Sequence, residues 1–312
     1  MRELALDRAP SLSSRGLAAV LSRTLRAWTD ARQPQGQDLA RLRRFNDLLP
    51  LDPLPRCAAR WPDTDVPGDW VAPTGVIPGD GVLLYLHGGG FVFGSPRSHR
   101  GLAYRLSAAS GLAAFVPYYR LAPEHPFPAA ADDVLAAYRV LLDRGVSPER
   151  IALAGDSVGG HLVASVLVDA VREGLPLPAA AVMMSPALDC TGAGLAARDA
   201  VRRDPMLSHT FGTGCGLAYL GSTPSSHPRL DVLGAAKVGW PPLLIQVGDT
   251  EVLLGDAQRM HRSATGAGVA CELQVWPGQV HVFQAFARFV PEARAAITEV
   301  GGFLRRHVPV SS

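Results

Sequence analysis

The stretch Ile151-Ala152-Leu153-Ala154-Gly155-Asp156-Ser157-Val158-Gly159-Gly160 decides the fold. Four apolar residues closed by a glycine read as a short buried strand, and the residues from Val158 onward read as a helix over 158–172. A serine with a glycine two positions before it and another two positions after it, between a strand and a helix, sits on a sharp turn. The glycines let strand and helix approach closely, and the turn lifts the serine hydroxyl above the sheet. Ser157 is therefore the candidate nucleophile.

Outward from this turn the pattern alternates. Apolar runs at 82–86, 112–118, 151–154, 179–184, 243–247 and 271–276 read as strands. Helical periodicity fills 98–110, 129–144, 158–172, 253–266 and 284–306. Alternation of this kind predicts an α/β architecture with a mostly parallel sheet covered on both faces. Residues 50–81, rich in Pro, Gly and Asp, suit antiparallel edge strands around Cys57–Trp61 and Trp70–Ala72. Two amphipathic helices are expected before them. Leu17, Leu21, Leu25 and Trp28 form the apolar face of the first, with Ser13 or Ser14 as its cap, and Leu39, Leu42, Phe45 and Leu49 that of the second. Residues 188–239 break the rhythm and read as an insertion with a helix over 202–220.

A second motif, His87-Gly88-Gly89-Gly90, follows the strand at 82–86 directly. Attack on a carbonyl builds negative charge on its oxygen, and backbone N–H groups fixed in advance stabilise it; losing one such donor costs ~3–4 kcal/mol. Gly89, Gly90 and the N–H of Val158 are the candidates for that oxyanion hole. The glycines do not fit a phosphate loop, which needs GxxxxGK[ST], nor a dinucleotide fingerprint, since they run on into Phe91-Val92-Phe93-Gly94.

A serine nucleophile needs a base, and in the chain order nucleophile, acid, base the base comes late. His281, in the loop after the strand at 271–276, fits. His307 reads as a helix-end residue, and His87 and His125 as residues of turns and loops. No HExxH or other metal spacing occurs, so no metal is expected. The carboxylate that orients the base is expected after the strand at 243–247, where Asp249, Glu251 and Asp256 all compete.

Composition narrows the rest. The chain has 312 residues, 47% hydrophobic and 19% charged, within the globular range. Its formal net charge is +2, and Lys237 is the only lysine, so nearly all the basic charge is arginine. That balance gives no basic stripe for nucleic acid. It also leaves lysine chemistry with one candidate, outside every motif. Cys57, Cys190, Cys215 and Cys271 are at least 25 positions apart and read as reduced thiols. Met1–Arg8 lacks the apolar run of a secretory signal and no stretch reaches ~18–20 apolar residues, so no membrane span and a cytoplasmic location are expected.

These motifs resemble the bacterial hormone-sensitive lipase family of esterases, within the α/β hydrolases. The resemblance runs through His87–Val92, Tyr119–Ala130, Gly155–Gly160 and His281–Phe283, and covers about residues 70–305. It implies an α/β-hydrolase fold with a helical cap, and a serine esterase acting on small carboxylic esters of short to medium acyl chain, with no cofactor. It implies Ser157 as nucleophile, His281 as base, and Gly89 and Gly90 in the oxyanion hole. The family's Asp-Pro-Leu triplet aligns with Glu251-Val252-Leu253, which makes Glu251 the acid rather than Asp249 and gives Asp256 a structural part. Glu124 and Asp132 match bracing positions, and His161 stands where the family commonly has asparagine.

Under this reading residues 1–49 and 188–239 form the cap, and 50–187 and 240–312 the hydrolase core. Phe91, Leu207, Phe211, Val252, Val282 and Phe283 are candidates to line the substrate pocket. Acyl transfer or amide cleavage by the same triad, and a non-catalytic small-ligand receptor on the same fold, are the alternatives. An exposed sheet edge at 271–276 would allow a homodimer. Arginines 15, 23, 26, 32, 41, 43 and 44 would make the outer face of a cap basic, suited to an anionic substrate or carrier.

Overall fold

Val82–Leu86 and Ile151–Asp156 are buried along their whole length, as strands covered on both faces must be. They lie side by side at the centre of the sheet. The structure, a computed structural model, describes residues 2–5, 9–48, 54, 58–63, 65–77 and 81–309, without the side chains of 2–5 and 48.

Nine strands are present among the described residues: β1 (Arg2–Ala5), β2 (Ala58–Pro62), β3 (Gly68–Pro73), β4 (Val82–Leu86), β5 (Ala113–Pro117), β6 (Ile151–Asp156), β7 (Ala180–Met184), β8 (Leu243–Gly248) and β9 (Cys271–Trp276). Their spatial order is β1-β9-β8-β7-β6-β4-β5-β3-β2. The pairs from β1 through β5 are parallel, and β3 and β2 join antiparallel at one edge. From β4 the chain steps to β5 on one side and then returns to β6 on the other. That reversal opens a crevice beyond the carboxyl ends of β4 and β6, where open α/β sheets bind ligands.

Helices cover both faces. On one, α5 (Ala129–Asp143), α6 (Val158–Glu173) and α9 (Leu254–Gly266) pack residues such as Tyr138, Leu162 and Met260 onto the sheet. On the other, α4 (Pro96–Ser110) and α10 (Pro291–His307) bury Leu102, Leu106, Val300 and Phe303. The start of α4 is fixed by a reciprocal capping box between Ser95 and Ser98, with Pro96 in the first turn.

Several elements differ from the expectation. The first N-terminal helix is two, α1 (Leu12–Arg23) and α2 (Leu25–Ala31). The division falls at Thr24, whose backbone departs from helical geometry at φ −112° and ψ −79°; its N–H is shared between the Val20 and Leu21 carbonyls at 3.1 and 3.2 Å, and its hydroxyl also donates to Val20, at 2.9 Å. The cap of α1 is Ser11, whose side chain accepts the Ser14 N–H, rather than Ser13 or Ser14. The next helix, α3 (Gly36–Leu48), follows, while Leu49 and Cys57 lie outside the described residues. In the insertion the single helix expected over 202–220 is replaced by α7 (Leu195–Val201) and α8 (His209–Leu220), separated by a loop that contains Pro205. The closing helix begins at Pro291, which has no N–H to continue a helix from before it, and Phe283–Phe286 forms a separate 3₁₀ turn.

The sheet edge proposed for dimer pairing is not open. β1 adds in parallel to β9, with Arg2 opposite Glu272 and Ala5 opposite Val275, and takes up the outer backbone groups of that strand. The N-terminal arginines are not a uniform outer face either: Arg26 is buried and Arg43 turns inward onto the core.

Candidate active site

The chain leaves β6 through Ser157, whose backbone is in the left-handed region at φ 54° and ψ −123°. A non-glycine residue there costs ~1–3 kcal/mol and persists only where its surroundings impose it. They do so here. The Ser157 N–H bonds the Met184 carbonyl at 2.8 Å, and the Ala187 N–H bonds the Ser157 carbonyl at 3.0 Å. A Cβ on Gly159 would collide with the Leu86 carbonyl, and one on Gly155 with the Gly159 backbone. Both glycines are thus required for helix α6 to sit against the sheet, and Ser157 is left above it at the first turn.

His281 meets Ser157 across 124 positions of sequence: its Nε2 lies 3.0 Å from Ser157 Oγ. Its Nδ1 lies 2.8 Å from Glu251 Oε2. A carboxylate can only accept, so Nδ1 carries the ring proton and Nε2 faces the serine hydroxyl as an acceptor. Glu251 is itself buried, and its other oxygen accepts from the Gly248 N–H at 2.6 Å and from Ser185 Oγ at 2.7 Å. Burial alone would lower the histidine's basicity, but the bond to Glu251 and the charges of Glu251, Asp204 and Asp156 outweigh it and raise His281 above the ordinary value.

The other two carboxylates of that loop are engaged elsewhere. Asp249 accepts the Gly278 N–H at 2.7 Å and pairs with Arg202 at 3.1 Å. Asp256 accepts the N–H groups of Leu188 and Asp189.

Beside the serine, Gly89 and Gly90 have φ values of 114° and 62°, open to glycine but strained for other residues. Their N–H groups have no acceptor among the described residues. Val158 opens helix α6, so its N–H lacks an intrahelical partner. The glycine loop is braced from below: Asp156 Oδ1 accepts the Gly88 N–H at 3.0 Å and the Tyr85 hydroxyl at 2.5 Å. The Tyr119 hydroxyl donates to the His87 carbonyl at 2.8 Å. His87 lies in this bracing layer, buried and stacked on Tyr119, and burial together with the neighbouring His99 pushes it well below the usual histidine value. Arg43 of α3 ties the next stretch down, donating to the Val92 and Ala122 carbonyls and pairing with Glu124, whose carboxyl it lowers to about 2. Asp132 instead pairs with Arg229, at 2.8 Å.

A largely apolar cavity of about 270 Å³ opens over the serine. Gly89, Gly90, Phe91, Val158, Leu207, Phe211, Val252 and Val282 all line it. Phe283 does not; it is buried beneath, against Trp276. The N-terminal helices contribute Leu25, Trp28, Leu42 and Phe45 to the wall, and the insertion contributes Leu195, Met206 and Cys215. His161 lies behind the site, buried, with Nδ1 3.2 Å from the Leu188 carbonyl, and burial lowers it to about 4.

Sequence reasoning missed Ser185, Arg198 and Asp204. Ser185, at φ 48°, bridges Glu251 and the Val282 N–H. Arg198 Nε donates to the Glu251 carbonyl at 2.8 Å, and Asp204 accepts the Val252 N–H at 2.9 Å. Ser185 has a signal in the sequence, since it follows β7 at the same level as Ser157 follows β6. The other two come from the insertion and carry none.

Comparison with known proteins gives the family of this fold. Residues 83–285 match a family model described as the alpha/beta hydrolase fold. The chain is 43% identical over 240 residues to an acetyl-hydrolase of Streptomyces hygroscopicus, covering 76% of this chain and 79% of that one. It is 36% identical over 270 residues to the esterase LipU of Mycobacterium tuberculosis, covering 83% and 89%. It is also similar to the crystal structure of EstE5 soaked with p-nitrophenyl butyrate, at 37% identity and a TM-score of 0.86, over 95% of this chain and 99% of that one. No helix among the described residues is long and apolar enough to cross a membrane.

Proposed function

Because the chain belongs to the bacterial hormone-sensitive lipase branch of the alpha/beta hydrolase fold family and is an ester hydrolase, we propose that Ser157, His281 and Glu251 carry its reaction. Ser157 Oγ attacks the ester carbonyl as His281 Nε2 takes its proton. The oxygen of the tetrahedral intermediate is stabilised by the N–H groups of Gly89, Gly90 and Val158. His281 then protonates the leaving alcohol, and water repeats the sequence on the acyl-enzyme. Glu251 fixes the imidazole tautomer and stabilises the positive ring. The observation that carries this reading is the unbroken relay from serine to histidine to glutamate, with contacts of 3.0 and 2.8 Å, at the floor of an apolar cavity.

In this reading the segments 1–49 and 188–239 act together as a cap over the core of 50–187 and 240–312. Walls from both segments enclose a space suited to short and medium acyl chains. The test is hydrolysis of p-nitrophenyl butyrate by the wild type and by Ser157→Ala. A loss of kcat on the order of 10⁵–10⁶-fold is expected, as for removal of a serine nucleophile elsewhere. A variant with wild-type activity would end the assignment.

A further inference from the structure

Asp204, in the loop between α7 and α8, is fully buried. Its Oδ1 accepts the N–H groups of Met206 and Leu207 at 2.7 and 2.9 Å, which folds the loop into a tight turn at the cavity wall. Its Oδ2 leaves that turn and crosses to the Val252 N–H, 48 positions away, at 2.9 Å. Val252 directly follows Glu251, whose carbonyl is held from the same side by Arg198. Both polar groups of the peptide bond that follows Glu251 are thus fastened to the insertion. The Asp204 carbonyl and the Leu207 carbonyl accept from Arg26 Nη1 of α2, so the turn is itself clamped by the N-terminal segment.

We infer that Asp204 is a positioning residue of the reaction centre: from the insertion it fixes the backbone beside Glu251 and adds a buried negative charge to the surroundings of the triad. The inference rests on the triad reading above. Asp256 and Asp156 brace loops through carboxylates as well; Asp204 differs in holding the peptide bond next to Glu251. A carboxylate buried among three N–H donors is expensive to desolvate, and its charge falls on the histidine that must turn positive in the reaction. Burial pushes the Asp204 carboxyl upward while the N–H groups of Leu207, Met206 and Val252 and the charge of His281 pull against that. From the other side, Asp204 contributes to the raised basicity of His281, after Glu251 and ahead of Asp156. The charged and titratable groups around Asp204 are Arg26 of α2, Arg198 and Asp199 of α7, His209 at the start of α8, and Glu251 and His281 of the triad.

Asp204→Asn keeps the size of the side chain, removes the charge and turns an NH₂ toward a backbone N–H. Asp204→Glu keeps the charge. The readout is the rate of labelling of Ser157 by a fluorophosphonate, in which the serine oxygen displaces fluoride as His281 takes the proton. Labelled amplitude counts only folded protein, so a poorly folding variant still yields a rate. Because His281 is raised, it stays protonated to higher pH than an ordinary histidine. Wild-type labelling should therefore fall with acidification through a midpoint above 6.5. Asp204→Asn should label ~10- to 100-fold more slowly, the scale of a small misplacement of a catalytic group. Its midpoint should also move down, since one of the charges that raise His281 is gone. Asp204→Glu should keep the wild-type midpoint. An asparagine variant that labels at the wild-type rate with an unmoved midpoint overturns the inference. So does one that is slower with the midpoint in place, which would make Asp204 a structural brace only. A wild-type protein left unlabelled at Ser157 removes the triad reading itself, and this inference with it.

Discussion

The site is built from residues in conformations that local preference disfavours. Ser157, Ser185 and Val282 all have positive φ, and all three touch or adjoin the relay. Such strain is tolerated only where neighbours impose it, which is why the two elbow glycines and the Ser157 bonds to Met184 and Ala187 matter as much as the serine. Glu251 is the clearest case of what a sequence can and cannot disclose. Its loop is evident from the strand before it, but three carboxylates occupy that loop within eight positions, and spacing does not say which one turns back toward the base. The geometry separates them: Glu251 is 2.8 Å from His281, while Asp249 holds Gly278 and Arg202. Glu251→Ala is therefore expected to lower kcat on p-nitrophenyl butyrate by about 10⁴-fold, as loss of a triad acid does in another serine hydrolase. Asp249→Ala removes one backbone bond and a surface ion pair, and should cost less than about 10-fold. The reverse order in steady-state kinetics would assign the acid to Asp249.

At the scale of elements, what is local in origin is legible and what depends on distant contact is not. The strands of the sheet centre are visible because a strand buried on both faces must be apolar throughout. The first helix is visible as an apolar stripe, yet its break at Thr24 is a change of one residue's backbone angles, which leaves periodicity untouched. The four-residue strand β1 has no apolar pattern and exists through its pairing with β9. The break at Thr24 has a consequence for the cavity. It lets α2 turn so that Trp28 lies edge-on against Phe211 of α8, with ring centroids 5.6 Å apart, and both rings line the pocket. An aromatic pair of this kind closes space that a longer acyl chain would need. Trp28→Ala should raise kcat/KM for p-nitrophenyl octanoate relative to butyrate on the order of 10-fold, since each methylene in an apolar pocket is worth ~1–3 kcal/mol of discrimination. An unchanged chain-length profile would place the acyl chain elsewhere in the cavity.

For the molecule as a whole, the two segments that enclose the cavity are far apart in sequence and are joined by a few buried polar contacts rather than by a shared apolar core alone. Arg26 is the principal one. It is nearly inaccessible to solvent and meets Asp199, 173 positions away, through two parallel bonds of 2.8 and 2.7 Å. Asp199 in turn meets His209 and the Asp204 N–H. The arginine-rich N-terminal helices, taken alone, suggest a basic outer surface, because a sequence does not show which cation has a partner waiting in a distant insertion. Arg26 and Arg43 are both spent on internal contacts and do not add to a basic outer surface of these helices. A buried pair broken from one side leaves an uncompensated charge, at a cost of ~3–5 kcal/mol. In Arg26→Met the methionine fills much of the space, but Asp199 loses its main partner and the carbonyls of Asp204 and Leu207 lose a donor. The denaturation midpoint in urea should fall accordingly, with the slope unchanged if the variant still unfolds as one unit. Exposed arginines of the same helices provide the contrast: Arg41→Met, which removes only a 4.0 Å surface pair with Asp38, should shift stability by less than about 1 kcal/mol. Equal stability of the two variants would show that apolar packing, not the Arg26 clamp, joins the N-terminal helices to the insertion.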